Sequence, residues 1–188
     1  MPSEKQDLRV QKTHKAIRTA FVELLQEKSF ENIAVQQILD RALVNRNTFY
    51  KYYSGKSDLA GAMISELKAE YSYLIEKRKQ IIDLNEFIEI ILPLFYEKRR
   101  LILALWTIKT KRHHLWDDMF LMLKNHYIAK QQTQFPHKNL DYQGEMVAHL
   151  ILKTLHYYFK QDLPVPIRQV WAELSEMVKA VQAADILM

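Results

Sequence analysis

The spacing of its apolar residues is the feature that most restricts what this chain can fold into. Along almost the whole sequence these residues recur three and four positions apart, and almost nowhere two apart. A spacing of three and four places side chains on one face of an α-helix, whereas a spacing of two would indicate a strand. The pattern therefore predicts an all-α fold of about nine helices.

Breaks in this pattern, together with Gly and Pro, predict where the helices begin and end. Ser54-Gly55 separates two of them, Pro93 predicts a kink or an early end within another, and Pro166 is well placed to begin the last. The predicted ranges are 8–28, 35–42, 46–53, 56–81, 85–99, 101–111, 114–132, 142–160 and 167–187.

The scarcity of two residue types excludes several classes of protein. The 188 residues include three Gly and no Cys, so neither a G-x-G-x-x-G motif nor a Walker A loop can be written. The lack of Cys excludes disulfide scaffolds and thiolate metal sites, and it is typical of a reducing cytoplasm. The first residues are polar, and no apolar run approaches the roughly 20 residues of a membrane span. We therefore expect a cytoplasmic protein with neither a signal peptide nor a membrane segment.

No spacing of side chains indicates catalysis or metal binding. A G-x-S-x-G motif is absent, and Asp117 and Asp118 are adjacent, so on a helix they diverge by about 100°. His149 and His156 are seven positions apart, and the sequence has neither an H-E-x-x-H motif nor a His pair four apart. We expect no enzymatic activity, no metal and no cofactor.

Two short predicted helices, 35–42 and 46–53, are joined by three residues and follow the longer predicted helix 8–28 in the sequence. This order and spacing are those of a helix-turn-helix. Asn45 is a suitable N-cap for the second of them. Between Asp40 and Asp58 the chain has no acidic residue, although its net charge is only +5. The same stretch contains the basic residues Arg41, Arg46, Lys51 and Lys56. A polar, basic helix of this kind suits the major groove of DNA.

The residues of this segment resemble those of a known family. Phe30-Glu31, Val35, Ile38, Arg41-Ala42, the run Val44 to Tyr53 and Lys56-Ser57-Asp58-Leu59 resemble the N-terminal domain of the TetR (tetracycline repressor) family of transcriptional regulators. The most diagnostic part is Thr48-Phe49-Tyr50-Lys51-Tyr52-Tyr53 with Lys56 behind it. The resemblance implies a DNA-binding domain at 1–58 and a ligand-binding and dimerisation domain at 59–188.

The resemblance also implies roles for individual residues. The candidates for contacts to base edges are Gln36, Arg46, Asn47 and Lys51. The candidates for phosphate contacts are Thr48, Tyr50, Tyr52 and Lys56, with Asn45 beside them as the helix cap. Two alternatives stay open from the residues alone: Tyr50 as a core residue and Gln36 as an ordinary solvated residue. Arg41 is expected on the outer face rather than against DNA.

Three positions depart from the family pattern. Leu43 stands where the turn usually carries Gly, which would cost about 1–2 kcal/mol if the residue is left-handed. Ala34 stands where a Thr usually caps the first short helix, and Tyr52 replaces a more common His.

For residues 59–188 the resemblance implies a dimer formed through the last two helices and a hydrophobic small-molecule effector. The apolar stripes expected on these helices are Met146, Leu150, Leu155 and Phe159, and Val170, Leu174, Met177, Val178 and Val181. The candidate effector-binding residues are Tyr71, Phe95, Tyr96, Trp106, His114, Trp116, Phe120, His149 and Tyr157. Side chains of either kind are more often ordinary core residues, and that alternative stays open for both sets.

The function predicted from the sequence is that of a dimeric repressor that binds a near-palindromic DNA operator and is released by a small molecule. The alternative is a helical adaptor or sensor of the same fold that acts through a protein or small-molecule partner without binding an operator.

Overall fold

The computed structural model describes residues 4–78 and 84–183, and the all-α prediction is confirmed over these ranges. They contain nine α-helices, one short 3₁₀ turn and no strand. The helices are α1 (Glu4–Glu27), α2 (Val35–Ala42), α3 (Arg46–Tyr50), α4 (Lys56–Arg78), α5 (Leu84–Glu97), α6 (Arg99–Trp106), α7 (Leu115–Gln132), α8 (Asp141–Lys160) and α9 (Ile167–Ala183), and the 3₁₀ turn is Phe30–Asn32.

Several predicted bounds differ from the observed ones. α3 ends at Tyr50 rather than at residue 53, because the amides of Tyr52 and Tyr53 both turn back to the Phe49 carbonyl. α5 continues past Pro93 to Glu97, so the proline does not end the helix. The predicted stretches 79–81 and 184–187 lie outside the described residues.

α6 ends five residues earlier than predicted, at Trp106. The Thr107 hydroxyl and amide both donate to the Ala104 carbonyl, at 2.7 and 3.1 Å, and this closes the last turn of the helix. The loop that follows is tied by Thr110, whose amide donates to the His113 carbonyl and whose hydroxyl accepts from the His113 amide.

One buried core connects the helix-turn-helix to the rest of the chain. α1 packs against both α2 and α6, and α6 packs in turn against α7 and α8. Phe49 of α3 is fully buried, and Leu59 and Met63 of α4 belong to the same cluster. Complete burial of a side chain such as Phe49 stabilises the fold by about 1.5–3 kcal/mol. This core includes residues on both sides of position 58. The division into domains at 1–58 and 59–188 therefore stays a prediction.

Two structural features are absent from the described residues. No helix among them is long and apolar enough to cross a bilayer. Within the same ranges, no group of three or more His, Cys, Asp or Glu side chains is placed to hold a metal ion.

Candidate nucleic-acid interface

The turn between α2 and α3 has a backbone geometry that favours glycine. Leu43 is left-handed, with φ 53° and ψ 42°, and its side chain is 92% exposed. The Val44 amide donates to the Leu39 carbonyl at 3.1 Å, and the Leu43 amide donates to the Asp40 carbonyl at 3.4 Å. This pair of bonds is the Schellman motif, which requires a left-handed residue at position 43. The turn therefore keeps the geometry suited to a glycine although a leucine occupies it.

The N-termini of α2 and α3 are capped unequally. The Asn45 side-chain oxygen accepts from the Asn47 amide at 2.8 Å, which confirms the predicted cap of α3. At α2, the Gln37 side chain accepts from the Ala34 amide at 3.0 Å. The methyl group of Ala34 cannot return a bond to the amide of Gln37, so the reciprocal half of a capping box is missing.

The structure brings Gln36 of α2 and Arg46 of α3 together. The Arg46 guanidinium donates to the Gln36 side-chain oxygen at 2.8 Å, and the Gln36 amide nitrogen donates to the Asp40 carboxylate at 2.7 Å. All three side chains are exposed. Gln36 is therefore a member of a hydrogen-bonded row that links the two helices, and not an isolated solvated residue.

The other candidate contact residues lie on the solvent-facing side of α3 and just after it. Asn47, Tyr50 and Lys51 are exposed, and Thr48 is half-buried. The 48% exposure of Tyr50 argues against the alternative that it is a core residue. Among the described residues, neither Arg46 nor Lys51 forms an ion pair with a carboxylate.

Arg41 points away from this surface, as expected. Its guanidinium forms a two-pronged ion pair with the Glu27 carboxylate of α1, at 2.5 and 2.9 Å. This pair lowers the pKa of Glu27 and raises that of Arg41.

The structure differs from the prediction at Lys56, the first residue of α4. Its ammonium group donates to the backbone carbonyls of Phe30, Glu31 and Ile33 at 2.7, 2.8 and 2.8 Å. An ammonium has three hydrogens, so no donor remains for a phosphate. In this conformation Lys56 fastens the start of α4 to the 3₁₀ turn that precedes α2. The sequence could not reveal this role, because the acceptors are backbone atoms 23 to 26 positions away.

Tyr52 and Tyr53 connect the end of α3 to α1 through His14, a residue that the sequence did not single out. The Arg18 Nε donates to the Tyr53 hydroxyl at 3.1 Å, and that hydroxyl lies 2.9 Å from His14 Nδ1. The His14 ring also packs on Tyr52, with ring centroids 4.3 Å apart. Burial lowers the pKa of His14, and the positive charge of Arg18 lowers it further. The Nδ1 atom of a neutral imidazole can accept a hydrogen bond from the Tyr53 hydroxyl.

The short, capped helix α3 is backed by a longer supporting helix. Its outer face presents amide and hydroxyl groups, together with cations that form no ion pair among the described residues. This arrangement is a helix-turn-helix, the motif whose second helix enters the major groove in many DNA-binding proteins. Comparison with known proteins identifies the family. Residues 17–63 match the family described as bacterial regulatory proteins, tetR family. Residues 17–63 therefore form a DNA-binding domain of the kind found in TetR-family transcriptional regulators.

Relatives and solved structures agree with this assignment. The chain is 42% identical over 57 residues to the HTH-type transcriptional regulator YdeS of Bacillus subtilis (strain 168), covering 30% of this chain and 29% of YdeS. It is 29% identical over 167 residues to YxbF of the same organism, covering 81% of this chain and 42% of YxbF. The matched regions therefore span less than half the length of either relative.

Two solved structures share the fold. A TetR transcriptional regulator from Streptococcus agalactiae 2603V superposes with a TM-score of 0.62 at 22% identity, over 92% of this chain and 96% of that chain. A gamma-butyrolactone receptor (ArpA-like protein) superposes with a TM-score of 0.57 at 15% identity, over 94% of this chain and 100% of that chain.

Of the nine candidate effector-binding residues, only Tyr71 and Phe95 line either of the two cavities described for this part of the chain. The nine residues fall into separate small groups. Trp106 and Trp116 are in edge contact at 4.8 Å, with the His156 ring about 6 Å from each. Tyr71 and Phe95 meet at 5.7 Å and line a cavity of about 50 Å³. Phe120 packs on His149 at 4.7 Å, and Tyr96 lies 6.3 Å from Phe159.

Three of these candidates have environments that sequence reasoning did not predict. The Tyr96 hydroxyl donates to the Asp162 carbonyl at 2.8 Å, and Arg99 lies over its ring. Tyr157 is 62% exposed, which argues against the alternative that it is an ordinary core residue. His114 Nε2 lies 3.7 Å from the Asp118 carboxylate, and its Nδ1 is buried without a hydrogen-bond partner in the described part of the chain.

A larger groove of about 520 Å³ lies between α1, α4 and the α5–α6 junction. Its walls carry Glu23, Glu66, Glu70 and Glu97, and none of the candidate effector-binding residues lines it. Arg18 pairs with Glu66 across it at 2.6 Å, and Lys98 pairs with Glu70. The groove is lined by charged and aliphatic side chains and by no aromatic ring, unlike the aromatic site expected from the sequence.

The predicted apolar stripes of the last two helices are partly internal. Leu155, Phe159 and Val170 are buried within the chain itself, so they are not available to a second subunit. Met146 of α8 and Met177, Val178 and Val181 of α9 are each about half exposed or more. Trp171 and Tyr142, which the prediction did not include, are also exposed on these helices.

Proposed function

We propose that this chain is a DNA-binding transcriptional regulator that acts as a dimer in the cytoplasm, represses at a near-palindromic operator and responds to a hydrophobic small molecule. The observation that carries the proposal is the exposed surface of α2 and α3. It presents Gln36, Arg46, Asn47 and Lys51 on rigid elements, and no acidic residue occurs between Asp40 and Asp58.

In this proposal α3 enters the major groove. Arg46 and Lys51 suit the O6 and N7 acceptors of guanine, and Gln36 and Asn47 suit the N6 and N7 pair of adenine. The Gln36–Arg46 hydrogen bond restricts both side chains before DNA arrives, which would reduce the ordering cost of binding. Thr48, Tyr50 and Tyr52 would contact phosphates on either side of the groove.

Dimerisation through α8 and α9 is supported by the poor burial of α9. Of its described side chains only Val170 is buried within the chain, and the exposed ones include Trp171, Met177 and Val178. A 17-residue helix is only marginally stable in water unless one face is covered. Two copies of α8 and α9 packed as a four-helix bundle would cover these apolar side chains. Such a dimer would place two α3 helices one turn of DNA apart, or a multiple of it.

The experiment for DNA binding is retention of genomic fragments by the purified full chain, followed by sequencing of the retained DNA and a salt titration. Several phosphate contacts in each half-site predict a steep loss of affinity as salt rises. Arg46→Ala should relax sequence preference, whereas Thr48→Ala should weaken binding on all sequences alike. A chain that retains no fragment even at low salt would contradict the proposal and favour the adaptor alternative.

The experiment for dimerisation is the mass in solution by light scattering at several concentrations. Met177→Asp should shift the mass toward the monomer, because a carboxylate would be buried against apolar residues of the partner. Asn125→Asp, which adds the same negative charge at an exposed residue of α7, should leave the mass unchanged. A monomeric mass for the unmodified chain at every concentration would contradict this part of the proposal.

A further inference from the structure

Tyr52 lies two residues beyond the end of α3, so the helix backbone does not hold its side chain in place. Its amide donates to the Phe49 carbonyl at 2.9 Å, and its ring is half-buried. Its hydroxyl forms no hydrogen bond within the described ranges and is free to donate to an acceptor such as a phosphate oxygen. The direction of the Tyr52 side chain is therefore set by contacts with other elements.

One of these contacts comes from His14 of α1. The His14 and Tyr52 rings have centroids 4.3 Å apart and planes inclined by 54°. On its other side His14 meets the ring of Tyr53 edge-on at 5.6 Å, and its Nδ1 lies 2.9 Å from the Tyr53 hydroxyl. Tyr53 is buried in the core. The imidazole thus stands between a fixed, buried tyrosine and the half-buried Tyr52.

Arg18, one helical turn after His14 on the same face of α1, fixes this cluster from behind. Its Nε donates to the Tyr53 hydroxyl at 3.1 Å, and its two terminal nitrogens each donate to the Glu66 carboxylate of α4 at 2.6 Å. Because Arg18 is the donor to that hydroxyl, the hydroxyl can give its own hydrogen to Nδ1 of a neutral His14. Burial and the positive charge of Arg18 both lower the pKa of His14, so the ring is neutral at pH 7.5.

We propose that His14 is a positioning residue that holds the Tyr52 ring in the direction from which its hydroxyl reaches a DNA phosphate. This inference rests on the proposed DNA-binding function. A side chain that is ordered before binding loses less freedom when the complex forms, so a fixed Tyr52 binds its phosphate more tightly than a free one. In this role His14 supplies neither a charge nor a phosphate contact of its own.

The test is a double-mutant cycle of His14→Ala and Tyr52→Phe, in which the affinity of the full chain for the retained operator is measured at pH 7.5. His14→Ala alone should weaken binding about 2- to 10-fold for each half-site, which corresponds to the ordering cost of one side chain. In the Tyr52→Phe background no hydroxyl remains to be positioned, so the same change should leave the affinity unaltered. A loss of equal size in both backgrounds would overturn the inference, because His14 would then act without Tyr52.

Two conservative replacements separate positioning by the ring from a general effect on the fold. His14→Phe keeps a ring against Tyr52 and should restore most of the affinity that His14→Ala loses. His14→Gln keeps a hydrogen-bond acceptor for the Tyr53 hydroxyl but has no ring, and it should bind as weakly as His14→Ala. A His14→Phe chain that binds no better than His14→Ala would overturn the inference.

The salt dependence separates positioning from direct contact. A neutral His14 releases no counterion, so the slope of log affinity against log salt should be the same in the His14 variants as in the unmodified chain. A lower slope would overturn the inference, since His14 would then bind phosphate itself as a cation.

The matched control is His137→Ala, which removes an exposed imidazole after α7 and should leave the affinity unchanged. An equal loss of affinity in this control would overturn the inference. Unaltered binding by His14→Ala would also overturn it, while leaving the proposed function in place. If the unmodified chain binds no DNA at low salt, both the inference and the proposed function fail.

Discussion

Replacement of Leu43 by glycine should make the folded chain more stable. A left-handed residue other than glycine costs about 1–2 kcal/mol, because its Cβ lies too close to the following carbonyl oxygen. Glycine removes that cost but gives the unfolded chain more freedom, which offsets about 0.4–1 kcal/mol. The Leu43 side chain is 92% exposed, so almost no packing is lost. The expected net gain for Leu43→Gly is about 1 kcal/mol.

The assay is urea-induced unfolding, with Leu43→Ala as the matched control. Alanine removes the same exposed side chain but keeps the Cβ, so its free energy of unfolding should stay within about 0.5 kcal/mol of the unmodified chain. For a chain of this size, a gain of 1 kcal/mol corresponds to a rise in melting temperature of about 2–4 °C. Equal stability of the glycine and alanine variants would contradict the claim that a Cβ strains the left-handed backbone at position 43.

Three further predictions concern the same region. Ala34→Ser would supply the missing acceptor for the first turn of α2 and should raise the free energy of unfolding by about 1 kcal/mol in urea. Lys56→Met would leave three backbone carbonyls without their donor and should lower the free energy of unfolding by about 1–3 kcal/mol. Lys51→Met, at an exposed position, should change the free energy of unfolding little. Because the pKa of His14 is lowered by folding, the unfolded chain binds more protons just below about pH 6.5, and stability should fall as the pH decreases through that range. Urea unfolding at about pH 7.5 and pH 5.5 should show a smaller loss for His14→Gln than for the unmodified chain.

Local sequence signals predicted the helix-turn-helix closely. The bounds of α2 agree with those predicted, and the predicted cap at Asn45 is present. The hydrogen bond between Gln36 and Arg46 joins two residues that were both expected on the DNA-facing side. Each of these features involves residues at most ten positions apart. Patterns over such short distances can be recognised in a single sequence.

Features that depend on distant residues were not predicted. Lys56 matches a phosphate-contacting position of the family, yet its ammonium is held by carbonyls that only folding brings near. His14 was missed for the same reason, since its partners lie 38 and 39 positions away. Aromatic composition predicted one effector pocket, but the structure distributes Trp106, Phe95 and Tyr157 over different places, because a helix face alone does not determine which neighbour covers it.

Selection of binding sites from random duplex DNA by the purified full chain tests the central claim most directly. The account predicts an enriched inverted repeat whose half-site centres lie about 10–10.5 base pairs apart, or a multiple of that. The Arg46→Ala variant should select DNA that shows a base preference at fewer positions. No enriched sequence, or the same sequence from both proteins, would contradict the claim that α3 reads the operator through Arg46.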